Sequence, residues 1–225
     1  MHIEPGVVTG AKLILSYATA ATAGGFSLKL AADTVREAGA PAFLGRAAIA
    51  SALVFCFFEV LPHHPVGVSE VHLILGSTLL LLFGAGAAAV GLAAGLAIQG
   101  LFFAPFDLPQ YGMNVTTLLV PLFAVELLAR RIVAPGTAYV DLAYRQVLAL
   151  STAYQGGVVA WVAFWAFYGE GVSATTAVAV ATFGASYMLV VVVEPLIDLA
   201  VLAAAKALRG LTDGDLFARR LHRPA

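Results

Sequence analysis

The sequence predicts an all-α integral membrane protein, a polytopic bundle of about seven transmembrane helices, and three observations carry that reading. Of 225 residues, 61% are hydrophobic and 11% are charged, where a soluble domain carries about 25% charged residues. The apolar residues fall in runs long enough to cross a bilayer, joined by short segments. Lysines and arginines gather in alternate joints, the asymmetry that membrane insertion favours.

A helix needs about 20 apolar residues to cross the hydrocarbon core. Candidate spans are 9–28, 42–61, 72–84, 86–104, 115–130, 147–168 and 174–205. The third and fourth come from one run, 72–104, that is too long for a single crossing. Gly84-Ala85-Gly86 lets it fold back as two helices, the first of them short. The last span is long enough to tilt or to run on beyond the membrane. The chain reads as one domain, 1–225, with a bundle over 1–205 and a cytoplasmic tail over 206–225.

With the N-terminus outside, Lys29, Arg36 and Arg46 flank the first inner loop, and Arg130, Arg131 and Arg145 flank the third. Lys206, Arg209, Arg219, Arg220 and Arg223 lie on an inner tail. Eleven of the twelve cations then face inward, Lys12 being the exception. The first apolar run lacks a preceding basic segment, so it reads as a mature helix rather than a cleaved signal. The net charge of −1 gives no footprint for nucleic acid. The single cysteine, Cys56, sits in an apolar run and is expected to be a small buried residue.

Two polar segments share the expected outer face. The chain opens Met1-His2-Ile3-Glu4-Pro5-Gly6, and residues 61–72 read Leu-Pro-His-His-Pro-Val-Gly-Val-Ser-Glu-Val-His. A histidine at position 2 can chelate a metal through the α-amine of Met1, its own amide nitrogen and its Nδ1. The bulk of His2 is expected to keep Met1 in place. Three such nitrogens lie in a plane, and a further imidazole completes a square that suits Ni(II) or Cu(II). His72 is a candidate for that imidazole, at the expected start of the third span. His63 and His64 are candidates for entry or for supporting contacts. Glu59 and Glu70 flank the same loop and either attract a dication or mark the membrane boundary.

Glu194 and Asp198 stand four residues apart in the last span, on one helical face. They read either as functional intramembrane carboxylates or as interfacial groups where Pro195 marks the helix leaving the bilayer. Trp161, Trp165, Tyr154 and Tyr168 read as core and outer aromatic belt. The chain has no Gly-x-x-x-x-Gly-Lys-Ser/Thr phosphate loop and no His-Glu-x-x-His zinc motif. Asp213-Gly214-Asp215 lacks the glutamate a calcium loop needs.

These residues resemble the CbiM/NikM-type substrate-binding membrane subunits of energy-coupling factor (ECF) transporters for cobalt and nickel. The resemblance rests on Met1-His2-Ile3 with Gly6 close behind. It rests also on Gly67, Ser69, His72 and Leu73, and on Gln99, Leu101, Phe103, Gly112 and Asn114, in order over residues 1 to about 205. It implies a square site built from the Met1 amine, the His2 amide and imidazole, and the His72 imidazole. Gln99 and Asn114 would hold the loop that seals it. The implied cargo is Co(II) or Ni(II), with no organic cofactor. The implied partners are an ECF transmembrane coupling subunit, ABC ATPase subunits and a small accessory membrane protein, in the inner (plasma) membrane of a prokaryote. The chain itself would not be an enzyme. Two departures stand out: prolines in 104–111, where relatives carry a Gly-Gly pair, and Tyr187 at a usual histidine position. The alternative reading is an ion-coupled or passive divalent-metal carrier that works without an ATPase, with Glu194 and Asp198 as its relay. A nitrogen site must shed protons to bind metal, so affinity is expected to fall below roughly pH 6.

Overall fold

Away from water every backbone amide and carbonyl needs a partner, and a helix supplies one locally. The long apolar runs accordingly fold as helices. The structure, a computed structural model, describes residues 2–223. In order these are α1 (Leu13–Ala38), α2 (Ala40–Phe55), α3 (Gly76–Phe83), α4 (Ala85–Phe102), α5 (Tyr111–Ile132), α6 (Tyr144–Glu170), α7 (Ala174–Ala207) and the four-residue α8 (Arg209–Thr212). Five segments are long and apolar enough to cross a membrane: Ala40–Val60, Ala85–Phe102, Pro105–Ile132, Tyr144–Glu170 and Ala174–Ala207. The protein is thus a multi-pass helical membrane protein. α1 matches them in length, with 26 residues, but Lys29, Asp33, Arg36 and Glu37 make its last turns polar.

The third expected span, 72–84, is helical only over Gly76–Phe83, short as expected. α3 has eight residues, a rise of about 12 Å. Residues 72–75 lead into it without regular structure, and Leu75 adopts a left-handed conformation at φ 56°. The cause lies in α7. Glu194 Oε1 accepts hydrogen bonds from the backbone amides of Ile74 (2.7 Å) and Leu75 (2.9 Å). An anion at the exposed amides of a helix start is the favourable polarity, so the helix begins where the carboxylate sits. The expected break after it is present: Gly84, at φ 82°, separates α3 from α4.

The loop after α2 also departs from an all-α fold. Cys56–Val60 form a π-helical turn, and then β1 (His64–Val66) and β2 (Ser69–Val71) pair antiparallel. Gly67 at φ 64° makes the tight turn. Its neighbour across the gap is the Ala179 carbonyl of α7, which lies 2.4 Å from where a Cβ would stand. Three-residue strands leave no readable alternation in sequence. Cys56 is exposed rather than buried, because Val54 and Phe58 hold the inward side of the same turn.

Close packing fixes the rest. On α4, a Cβ at Gly91 would stand 2.4 Å from Ala50 Cβ, and one at Gly95 would stand 2.6 Å from Val54 Cγ1. The small-x-x-x-small spacing lets α2 and α4 approach backbone to backbone. Tyr154, Trp165, Phe183 and Tyr187 fill the centre between α6 and α7. At the end opposite the hairpin, the tail folds back. Ala218 N donates to the Leu82 carbonyl at the foot of α3 (2.7 Å), Phe217 stacks on Phe83, and Leu221 is fully buried.

Candidate metal centre

The N-terminal residues are drawn in by backbone pairing. Ile3 bridges Ser69, Glu4 N donates to the Val68 carbonyl and Glu70 N donates to the His2 carbonyl, each at 3.1 Å. The Ser69 hydroxyl donates to the same His2 carbonyl at 2.8 Å. The free side of this added strand is pinned by Asn114, whose Oδ1 accepts from Ile3 N at 2.8 Å. The chain start thus becomes a third strand wedged against the beginning of α5, and the His2 side chain turns inward, 4% exposed.

His72, 3% exposed, enters from the irregular segment before α3 rather than from a helix start. One ligand atom from each of His2, Glu70 and His72 lies within 4.8 Å of the other two. The two imidazole centroids are 6.2 Å apart, and Phe58 packs edge-on against both, at 6.2 Å and 4.7 Å. His72 Nδ1–H donates to the Leu73 carbonyl at 3.1 Å, which directs the ring's basic lone pair to Nε2. His2 Nδ1 donates to Glu70 Oε2 at 2.7 Å. His2 Nε2 is buried 3.9 Å from Asp107 Oδ2, beyond hydrogen-bond reach.

The electrostatics follow from burial. Desolvation holds the His2 imidazole below its ordinary 6.5, outweighing the opposing pull of Glu70. Burial pushes the Glu70 carboxyl up, but the hydrogen bond and charge of His2 bring it below the usual range. The site therefore holds a neutral imidazole beside a carboxylate at neutral pH, the protonation states a divalent cation requires.

The other expected site residues divide. Met1 lies outside the described residues. Asn114 holds the N-terminal strand. Gln99 donates to the Phe58 carbonyl (3.4 Å) and to Glu59 Oε2 (3.2 Å), so its side chain braces the π-turn that carries Phe58. His63 and His64 remain exposed outside the cluster, His63 facing the Leu61 carbonyl at 3.3 Å. Asp107 and Phe58 were not singled out in sequence. Asp107 lies in the proline-containing loop, whose 3-10 turn Pro105–Gln110 carries it inward.

Residues 2–210 match the family described as the cobalt uptake substrate-specific transmembrane region, CbiM. The chain belongs to the CbiM family. Two solved structures share this CbiM fold, a crystal structure of a transition metal transporter and one of a truncated transition metal transporter. The first superposes with a TM-score of 0.70 at 21% identity, covering 93% of this chain and 94% of the other. The second gives 0.65 at 21% identity, covering 93% and 99%. No curated protein sequence matches the chain.

In this CbiM chain Glu194 and Asp198 are fully buried, and α7 runs through Pro195 to Ala207. Both therefore face the protein interior, on a helix that does not end at Pro195. Glu194 accepts from Ile74 N and Leu75 N and from the Gln155 side-chain amide. Asp198 accepts from the Ser77 hydroxyl at 2.7 Å and from the Thr78 hydroxyl. Tyr187 donates to Gln155 Oε1 at 2.8 Å and so orients the amide that reaches Glu194. Both carboxylates hold the start of α3, four residues beyond His72.

Proposed function

We propose that this chain is the metal-binding membrane subunit of an ATP-driven cobalt or nickel uptake transporter. It captures the cation on the outer face of a prokaryotic inner membrane and releases it inward. In this reading the chain crosses the membrane seven times, N-terminus outside, with the short α3 as a half-length crossing. Its donors are the Met1 amine, the His2 amide nitrogen and Nδ1, and His72 Nε2. The observation that carries the reading is the convergence of His2 and His72, 70 residues apart in sequence, in one buried pocket at the hairpin end.

Metal entry on His2 Nδ1 displaces the Nδ1 proton, and Glu70 is the acceptor already in contact with it. Glu70 passes that proton to bulk water and Nε2, towards Asp107, takes one up, so the ring stays neutral and Glu70 stays anionic. A carboxylate behind a metal-bound histidine fixes ring orientation and raises its basicity. Glu70 compensates the charge of the dication at the pocket wall. An ECF coupling subunit with ABC ATPase subunits, and a small accessory membrane protein, complete the transporter.

The ion-coupled carrier gains less support, since the bonds of Glu194 and Asp198 go to the backbone and hydroxyls of α3. The test is uptake of radioactive Co(II) or Ni(II) by cells carrying the chain with and without its coupling and ATPase subunits. Uptake that requires them supports the ATP-driven reading. Uptake undiminished in their absence overturns it in favour of the carrier.

A further inference from the structure

At the end opposite the histidines, a cavity of about 810 Å³ opens between α1, α2, the foot of α3 and the returning tail. Six arginines line it against three carboxylates, Asp33, Glu37 and Glu126. Two of those carboxylates are occupied: Arg36 pairs with Asp33 at 3.0 Å, and Arg130 with Glu126 at 2.9 Å. Arg46 and Arg220 have no carboxylate within ion-pair distance among the described residues. Arg46, the seventh residue of α2, is 4% exposed. Its Nε donates to the Asp215 carbonyl at 2.8 Å, and its Nη2 is buried without a partner among the described residues. Arg220 lies over the Tyr139 ring, 5.1 Å from guanidinium carbon to centroid. Its Nε is likewise buried without a partner.

A buried guanidinium with an unsatisfied donor is costly, and an anion that accepts its hydrogen bonds removes the cost. Two such donors enter one cavity from different elements, so a tetrahedral oxyanion, which presents oxygens in several directions, fits better than a planar carboxylate. Arginine forks also match phosphate geometry. The remaining wall is mixed, with Leu30, Phe83 and Ala218 beside Thr34 and Tyr139.

We propose that this cavity is a phosphate-binding site, with Arg46 and Arg220 donating to the oxygens and Arg219 and Arg223 closing the rim. The phosphate comes either from the headgroup of an anionic phospholipid or from soluble phosphate. Bound there, it ties α2 to the tail residues that seat against α3.

The test uses the full chain purified in neutral detergent, as wild type, Arg46→Gln and Arg220→Gln. Native mass spectrometry reads retained phosphatidylglycerol, and thermal unfolding is followed as inorganic phosphate or phosphatidylglycerol is added. Wild type that retains or is stabilised by phosphatidylglycerol, with affinity at least roughly tenfold lower in both variants, supports the lipid source. Stabilisation by inorganic phosphate alone, lost in the same variants, supports the soluble source. Arg220→Gln, on the half-buried tail, serves where Arg46→Gln does not fold. Binding of neither probe by wild type, or equal binding by a folded Arg220→Gln, overturns the site.

Discussion

Glu194→Ala tests why α3 begins where it does. The substitution removes the acceptor for the Ile74 and Leu75 amides at 2.7 and 2.9 Å, and both residues are buried. A buried donor left unsatisfied costs about 1–3 kcal/mol, so two cost roughly 2–6 kcal/mol before relaxation. At about 2–4 °C per kcal/mol for a chain of this size, the unfolding temperature should fall by roughly 4–24 °C. The assay is thermal unfolding of the detergent-purified chain, followed by tryptophan fluorescence and circular dichroism. Glu194→Gln separates acceptor from charge. It keeps one oxygen for the amides but sets a second donor against the Gln155 amide, so its destabilisation should be smaller than that of alanine. Metal binding should persist in Glu194→Ala at one-to-one stoichiometry, weakened by roughly tenfold or more because the segment that carries His72 loosens. An unfolding temperature within about a degree of wild type would refute the assignment of Glu194 as the cap that starts α3.

Asn114→Ala leaves Ile3 N unpaired and frees the edge of the N-terminal strand. A loss of about 1–3 kcal/mol should appear as a clear drop in metal affinity in calorimetric titration, with overall fold retained. Asp107→Asn keeps the size of the side chain but weakens its hold on a metal-bound His2. Affinity should fall roughly tenfold, with a larger loss for Asp107→Ala. Stability of the metal-free chain should follow His2 in acid. Its folded pKa lies below 6.5, so its contribution is complete above that value and is lost as pH falls through the lowered folded value. Denaturant titrations of wild type and His2→Phe between neutral and mildly acid pH should diverge in that direction. Gly91→Val would drive a side chain into Ala50 and should prevent the α2–α4 contact, read as loss of the folded fraction on size-exclusion chromatography.

The helical elements were legible because bilayer-crossing apolar runs have few alternatives, and because Gly84 marks the one break inside the longest run. The histidines were legible from the pattern around His2 and His72. Three-residue strands were not, since alternation over so short a stretch is indistinguishable from a loop. The start of α3 was hidden for a different reason: the residue that sets it, Glu194, lies 120 positions away, and nothing local in Leu73-Ile74-Leu75 forbids a helix. Asp107 was hidden by its setting in a loop that reads as a stiff connection between prolines. A buried carboxylate becomes informative once its neighbour is known, and here that neighbour is the second residue of the chain.

The most direct test of the metal site is calorimetric titration of the purified chain with Ni(II) and Co(II). Wild type, His2→Ala, His72→Ala and a version with one residue added before Met1 are compared. Tight one-to-one binding by wild type, lost in all three altered chains, is the result predicted for the amino-terminal chelate. Binding that survives the added residue would contradict it and leave His2, Glu70 and His72 side chains alone as the ligand set.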